Sequence, residues 1–173
     1  LTEEIISESK KAYNVVREAA ADIGSRTHAW CEAYIKTGER TLPDDEKVLN
    51  GITAFLKWVD EHKVKFISSE RMVYSRKHHY IGTLDAEAII DDKKVLIDFK
   101  TSSGYRNEYA LQVSAYQVAA EEEGSRYETL PIIVRFDKLT GSFSITKLGS
   151  IEIEPFLAAK EVLLWARKQK VSG

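Results

Sequence analysis

Hydrophobic residues recur at helical spacing along the first part of the chain. The segment from Thr2 to about Tyr34 has one apolar side at this spacing, which predicts an amphipathic helix. Gly24 is expected to divide the segment into two helices, because glycine weakens a helix interior. The apolar positions are Ile5, Ile6, Tyr13, Val16, Ala20 and Ile23.

A second helix is predicted after a loop that contains Gly38 and Pro43. Asp44 or Asp45 is expected to cap it, because an aspartate carboxylate accepts the free backbone N–H groups of a first helical turn. The apolar positions of this helix, over about 46–62, are Val48, Ile52, Phe55, Leu56 and Val59.

After residue 62 the hydrophobic pattern changes to the period of two that strands have. Three consecutive strands with short polar turns predict an antiparallel meander. The predicted elements are strands over 64–75, 80–90 and 95–101, a helix over 107–122, strands over 127–136 and 142–148, and a helix over about 154–168. This order predicts an α/β (α+β) fold with a central mixed sheet flanked by helices. Three tryptophans are expected in the core, namely Trp30, Trp58 and Trp165.

The composition is that of one globular domain over residues 1–173, with 43% hydrophobic and 30% charged residues. No apolar run approaches the roughly 20 residues that cross a bilayer, so no membrane association is expected. Cys31 is the only cysteine, which excludes an internal disulfide and favours a cytoplasmic location. Because the net charge is −2, contact with nucleic acid would depend on local basic clusters or a bound metal.

Acidic and basic residues cluster on the second and third predicted strands. A turn at Asp92–Lys93 would place Asp85 opposite Lys100, with Asp98 on the same face roughly 5–8 Å from Asp85. The alternation also predicts a common apolar face formed by Tyr80, Gly82, Leu84, Ala86, Ala88 and Ile90 with Val95, Ile97 and Phe99.

Two carboxylates at that separation can share Mg²⁺, which prefers oxygen ligands. The neighbouring Lys100 could then stabilise charge that develops on a phosphate, so the face is suited to phosphodiester hydrolysis. The alternative interpretation is that Asp85, Asp98 and Lys100 form a surface salt-bridge cluster. The residues of this stretch alone do not decide between the two.

Five short motifs follow one another between residues 24 and 116. They are Gly24-x-x-x-His28-x-x-x-Glu32, Glu70, Gly82-x-x-Asp85, Asp98-x-Lys100 and Gln112-x-x-x-Tyr116. In this order the motifs resemble the PD-(D/E)XK nuclease superfamily, specifically its RecB-like and phage-type exonuclease branch. Two departures from the family pattern are Leu84 in place of proline and Asp98 in place of the commoner glutamate.

The resemblance implies a restriction-endonuclease-like core and a DNA exonuclease that uses one or two Mg²⁺ or Mn²⁺ ions. It implies that Lys100 is the catalytic lysine and that Glu70 is an accessory acid beside it. A turn at Arg76–Lys77 would place Glu70 opposite Thr83, on the face of Asp85. The implied metal ligands are His28, Asp85, Asp98 and the Phe99 backbone carbonyl.

The resemblance also implies which residues contact DNA. Gln112 and Tyr116 would line the DNA channel from one face of their helix.

The basic hairpin tip at Arg76 and Lys77, followed by two histidines, is a solvated turn that could contact a DNA backbone. Recombination, repair or phage replication would be the setting, with a homo-oligomer or a recombination partner protein as further expectations.

Two other functions fit the same residues. A restriction-type or structure-specific endonuclease would share the fold and would cut DNA that has no ends. A nucleic-acid-binding module could have kept the fold and lost catalysis, because fold alone does not fix function.

Overall fold

The computed structural model describes the backbone of residues 3–170 and the side chains of residue 14 and residues 17–169. The elements are α1 (Glu3–Thr37), α2 (Glu46–Glu61), β1 (Lys65–Ser75), β2 (Tyr80–Ile90), β3 (Lys93–Lys100), α3 (Asn107–Glu122), β4 (Ile132–Phe136), β5 (Phe143–Lys147) and α4 (Ile153–Lys170). The predicted types and order are confirmed for these residues. Thr2 and the side chains of Ile5, Ile6, Tyr13 and Val16 lie outside the described part.

Gly24 does not divide the first helix, so that prediction is wrong. α1 runs without interruption from Glu3 to Thr37. A Cβ atom at Gly24 would lie 2.9 Å from the Thr101 hydroxyl oxygen at the end of β3. Gly24 therefore permits close packing of the helix against the sheet.

Asp45 caps α2, as one of the two predicted alternatives. Its carboxylate accepts hydrogen bonds from the backbone N–H groups of Lys47 (3.0 Å) and Val48 (3.2 Å). The second carboxylate oxygen lies 2.9 Å from the Arg26 guanidinium of α1. The cap thus also joins the two helices that cover one face of the sheet.

The strands form one five-stranded mixed sheet in the order β1-β2-β3-β4-β5. β1, β2 and β3 are the predicted antiparallel meander, β4 lies parallel to β3, and β5 lies antiparallel to β4. α3 makes the crossover between the parallel strands, as such pairs require. The coarse prediction of an α+β mixed sheet flanked by helices is confirmed, although β4 begins at Ile132 rather than at residue 127.

Both predicted hairpin registers are wrong by two residues. The β2–β3 turn is Asp91–Asp92, with φ values of 50° and 59°, so Ile97 pairs with Ala86 and Asp85 does not lie opposite Lys100. Aspartate tolerates this left-handed backbone better than most residues, which favours two aspartates over Asp92–Lys93.

The β1–β2 turn spans residues 76–79 rather than Arg76–Lys77 alone. Ser75 consequently pairs with Tyr80, and Met72 takes the place opposite Thr83 that was predicted for Glu70.

The side chains of β2 change face at Asp85. Leu84 packs in the core under α3, whereas Ala86 and Ala88 pack in the core under α1 and α2. The prediction of one common apolar face along β2 is therefore wrong, although it holds for β3. Glu70, which lies in β1 beside Asp85, has a φ of 48°. Both strands therefore change face at the same point, and the pairing on either side of it keeps one register.

The three tryptophans have different environments. Trp58 is fully buried in the core under α2, and Trp30 is partly buried against the same core. Trp165 of α4 is 63% exposed, so its predicted core position is wrong. Among the described residues, no helix is long and apolar enough to cross a membrane.

Candidate metal-binding and catalytic site

The candidate site lies where β2 and β3 separate. The regular pairing of these strands ends at Ala86 and Ile97, while β3 continues beside β4 as far as Lys100. Just beyond the last pair, the Asp85 carboxylate accepts a hydrogen bond from the Phe99 backbone N–H at 2.6 Å. The side chain thereby satisfies a backbone donor that a regular ladder would have used, and it fixes Asp85 between the strands.

Three potential metal ligands from three different elements meet at this point. One ligand atom each of His28 (α1), Glu70 (β1) and Asp85 (β2) lies within 4.8 Å of the other two. His28 Nδ1 is 3.8 Å from Asp85 Oδ1, the carboxylate oxygen that does not bind Phe99. The structure therefore brings together three of the residues that the sequence singled out.

The backbone at Glu70 is unusual for a strand residue. Its φ of 48° lies in the left-handed region, which costs a residue with a side chain about 1–3 kcal/mol. This conformation accompanies the change of face in both strands and places the Glu70 carboxylate in the cluster. Backbone strain of this kind concentrates at functional sites.

Asp98 and Lys100 form a buried ion pair on β3. Lys100 Nζ donates to Asp98 Oδ1 at 2.9 Å and lies 2.8 Å from Oδ2. Oδ2 is buried in a residue that is only 1% exposed, and it makes no hydrogen bond besides this ion-pair contact. A buried oxygen with unused acceptor capacity is the kind of group that binds a cation or a water molecule.

Burial and mutual repulsion raise the pKa values of the site's carboxyl groups. Burial raises the pKa of Asp85 to about 6, against the Phe99 N–H and the Lys100 charge. Burial and the charge of Asp85 raise the pKa of Asp98 to about 7. Burial and the nearby Glu32 also raise the pKa of Glu70. Acids with raised pKa values in one cleft are typical of functional sites.

His28 is held in its neutral form by the same environment. Burial and the Lys100 charge lower its pKa, although Asp98, Glu70 and the Phe99 backbone carbonyl act in the opposite direction. The contribution from Phe99 indicates that its carbonyl lies beside the imidazole, at the site implied for it. Neutral imidazole is the form that binds metals.

Lys100 is positioned by a chain of contacts from α3. Its Nζ donates to Gln112 Oε1 at 3.1 Å, and Gln112 Nε2 donates to the Tyr116 hydroxyl at 2.7 Å. The Tyr116 ring lies across Gly82, where a Cβ atom would be 2.3 Å from ring atom Cε1. Gln112 and Tyr116 are therefore connected to the site by way of Lys100, and their contact with DNA stays a prediction.

The donor set fits a divalent cation. Carboxylates suit Mg²⁺ and Mn²⁺, and imidazole adds a preference for Mn²⁺ among these two. A buried oxygen of Asp98, whose only other contact is the Lys100 ammonium, would complete the set of His28, Glu70 and Asp85. Positive charge at this position would also relieve the repulsion that raises the carboxyl pKa values.

Two predicted contact residues lie away from this cluster. Arg76 and Lys77 are exposed in the turn before β2, whereas Asp85 lies in the middle of that strand. Glu122 and Glu123 line the same surface depression and offset the positive charge there. DNA contact by this turn stays a prediction.

Sequence reasoning missed two features around the site. The Tyr109 ring lies 5.0 Å from Lys100 Nζ in cation–π geometry, and its place on α3, three residues before Gln112, was the available signal. Glu87 instead forms a separate buried network with Ser68, Arg71, Lys94 and Tyr127. The change of face at Asp85 carries Glu87 away from the cluster.

Comparisons with models of protein families and with curated proteins find no match to this chain.

Proposed function

We propose that this protein is a metal-dependent DNA exonuclease with a restriction-endonuclease-like core of the PD-(D/E)XK kind. The observation that carries the proposal is the convergence of His28, Glu70 and Asp85 from three elements, beside the Asp98–Lys100 pair. The order of the five sequence motifs supports the same activity. A role in recombination, repair or phage replication, in the cytoplasm, is part of the proposal.

The residues divide into ligands and a positioned cation. His28, Glu70, Asp85 and Asp98 would hold Mg²⁺ or Mn²⁺, with the Phe99 carbonyl beside them. The bound ion would supply Lewis-acid stabilisation of negative charge on the phosphate. Lys100 is fixed by Asp98 and Gln112, so its ammonium group is oriented to neutralise charge on the reacting phosphate.

The surrounding protein strengthens these electrostatic interactions. Asp98 and the ring of Phe99 are buried, and the core under α2 closes the inner side of the site. Charge–charge interactions are stronger in such a medium than in water. The site therefore combines candidate metal ligands, the ammonium group of Lys100 and restricted access of water.

The test is digestion of end-labelled linear duplex and single-stranded DNA with Mg²⁺, Mn²⁺ or EDTA. We expect digestion only with metal, and loss of digestion in Lys100→Ala and Asp98→Asn. Lys93→Ala and Asp92→Asn are matched controls. Lys93 is exposed at the start of β3, the end away from Lys100, and Asp92 is exposed in the turn before it. Circular dichroism confirms that each variant is folded.

Three results would contradict the proposal in different ways. Digestion in EDTA would remove the metal requirement, and active Lys100→Ala protein would leave the Asp98–Lys100 pair as a structural salt bridge. Rapid nicking of sealed circular DNA would identify an endonuclease. Metal-independent DNA binding without turnover would identify a binding module.

A further inference from the structure

A shallow depression beside Lys100 has the lining of a nucleotide subsite. None of the cluster's carboxylates lines it, and its lining is Lys100, Tyr105, Tyr109, Arg135, Ser144 and Thr146 with the apolar Ile133. We propose that it binds one unpaired nucleotide of the DNA strand, next to the phosphate at Lys100. This inference rests on the proposed nuclease function and adds a preference for single-stranded ends.

The aromatic side of the depression begins at the catalytic lysine. Tyr109 lies under Lys100 Nζ, at 5.0 Å from ring centroid to nitrogen. Tyr105 meets Tyr109 edge to face, with centroids 6.1 Å apart, and is 46% exposed. An exposed tyrosine ring fixed by a second ring offers a flat surface on which a base can stack.

The polar side of the depression is suited to a phosphate or sugar. Arg135 of β4 is the register partner of Lys100, and its Nε donates to the Ser144 hydroxyl at 3.2 Å. Asp137, at 3.6 Å from Arg135 Nη1, offsets part of the guanidinium charge. A guanidinium flanked by hydroxyl groups matches the groups that contact nucleic-acid backbones.

The start of α3 adds positive potential at the same place. Arg106 occupies the N-cap position of this 16-residue helix, and no side chain caps the helix there. The first-turn N–H groups and the helix dipole therefore favour a negatively charged group beside Tyr105. Glu108, 3.8 Å from the Arg106 guanidinium, offsets part of this potential.

The shape of the depression selects single strands. It is too small to enclose a base, so a base would lie on the exposed ring of Tyr105. A base inside a duplex already stacks on its neighbours and does not present its flat face. The contact is therefore available to an unpaired nucleotide and unavailable to bases in the interior of a duplex.

The test measures binding of fluorescent oligodeoxynucleotides to the full chain in EDTA, where no digestion is expected. Base stacking predicts that Tyr105→Ala weakens single-strand binding about 5- to 100-fold and duplex binding much less. Tyr105→Trp should restore single-strand binding. Trp165→Ala is the matched control, because Trp165 is an aromatic residue that is 63% exposed on α4.

An abasic position separates stacking from general loss of affinity. The wild-type protein should bind a strand without bases less tightly than an intact strand, and Tyr105→Ala should show no such difference. Equal binding by wild type and Tyr105→Ala, equal losses for single strands and duplexes, or no single-strand binding at all would overturn the inference. If the inference fails while metal-dependent digestion persists, the proposed function stands. If digestion fails, the binding measurement still decides the subsite.

Discussion

At the scale of one residue, Asp98 shows that the ionised carboxylates of the site lower the stability of the metal-free fold. The pKa values of Asp85 and Asp98 are raised, so the folded, metal-free protein holds protons that the unfolded chain releases. These carboxyls therefore stabilise the fold below about pH 4, and that stability is lost as pH rises to about 7.

We accordingly predict that Asp98→Asn flattens the pH dependence of unfolding. In EDTA, the free energy of unfolding of the wild type should fall relative to that of Asp98→Asn between pH 5 and pH 8. Mn²⁺ at pH 8 should stabilise the wild type more than the variant, because metal bound only by the folded state adds to its stability. Urea titrations at several pH values measure both effects, and parallel pH profiles would contradict the assigned burial of charge.

His28 is predicted to affect the choice of metal. Imidazole suits Mn²⁺ better than Mg²⁺, while carboxylates accept either ion. His28→Ala should therefore raise the Mn²⁺ concentration needed for thermal stabilisation more than it raises the Mg²⁺ concentration. His62→Ala is the control, because it removes an imidazole at a different place. His62 lies at the end of α2 and contacts Trp58. Equal effects on both ions would show that His28 does not set the choice of metal, and no effect on either ion would show that it is not a ligand.

At the scale of elements, Gly82 joins β2 to α3 through the Tyr116 ring. A methyl group at residue 82 would overlap that ring, so Gly82→Ala should displace Tyr116 and loosen Gln112 and Lys100. We predict a lower kcat with little change in KM, and a loss of about 1–3 kcal/mol in the free energy of unfolding.

Two further variants isolate this contact. Gly149→Ala should have little effect, because nothing lies within 4 Å of a Cβ atom there. Tyr116→Ser should partly relieve the instability of Gly82→Ala, since it removes the overlapping ring. Additive effects in this double-mutant cycle would show that the two residues do not act together.

The buried network around Glu87 connects β2 to β1, β3 and the loop before β4. Burial raises the pKa of Glu87, but hydrogen bonds from Tyr127, Lys94 and Ser68 and the charge of Arg71 outweigh it and lower the pKa to about 2. Glu87→Gln should cost about 1–3 kcal/mol, because it leaves Lys94 without its carboxylate and Arg71 with Glu123 alone. Glu121→Gln on the exposed side of α3 is the control. Denaturant unfolding measures both, and a cost equal to the control's would contradict the role of the network.

The sequence predicted which residues lie near one another better than it predicted the strand register. Both hairpins were placed two residues away from their observed register, and an error of two residues does not by itself move a side chain to the other face. Asp85, Asp98 and Lys100 therefore still met. The change of face at Asp85 could not be predicted, because it depends on the left-handed backbone of Glu70 in the neighbouring strand.

At the scale of the whole molecule, helical periodicity predicted the elements but not the depth at which each is buried. α1, α2 and α3 cover the sheet, whereas the second half of α4 leaves four consecutive apolar residues exposed, namely Val162, Leu163, Leu164 and Trp165. Their sequence is as hydrophobic as that of a core helix. Burial depends on which surface of the sheet is still uncovered, and by α4 the chain has covered both faces.

Trp58 should consequently contribute much more to stability than Trp165, and the fluorescence of Trp165 should be more accessible to a quencher. Trp58→Ala removes a fully buried ring at the centre of the core and should cost about 3–5 kcal/mol, while Trp165→Ser should change the free energy of unfolding by less than about 0.5 kcal/mol. Iodide should quench the fluorescence of Trp165, which is the difference between the wild type and Trp165→Ser. It should leave the fluorescence of Trp58 largely unchanged. A large loss of stability in Trp165→Ser, or protection of its emission from iodide, would mean that another surface covers α4 in solution.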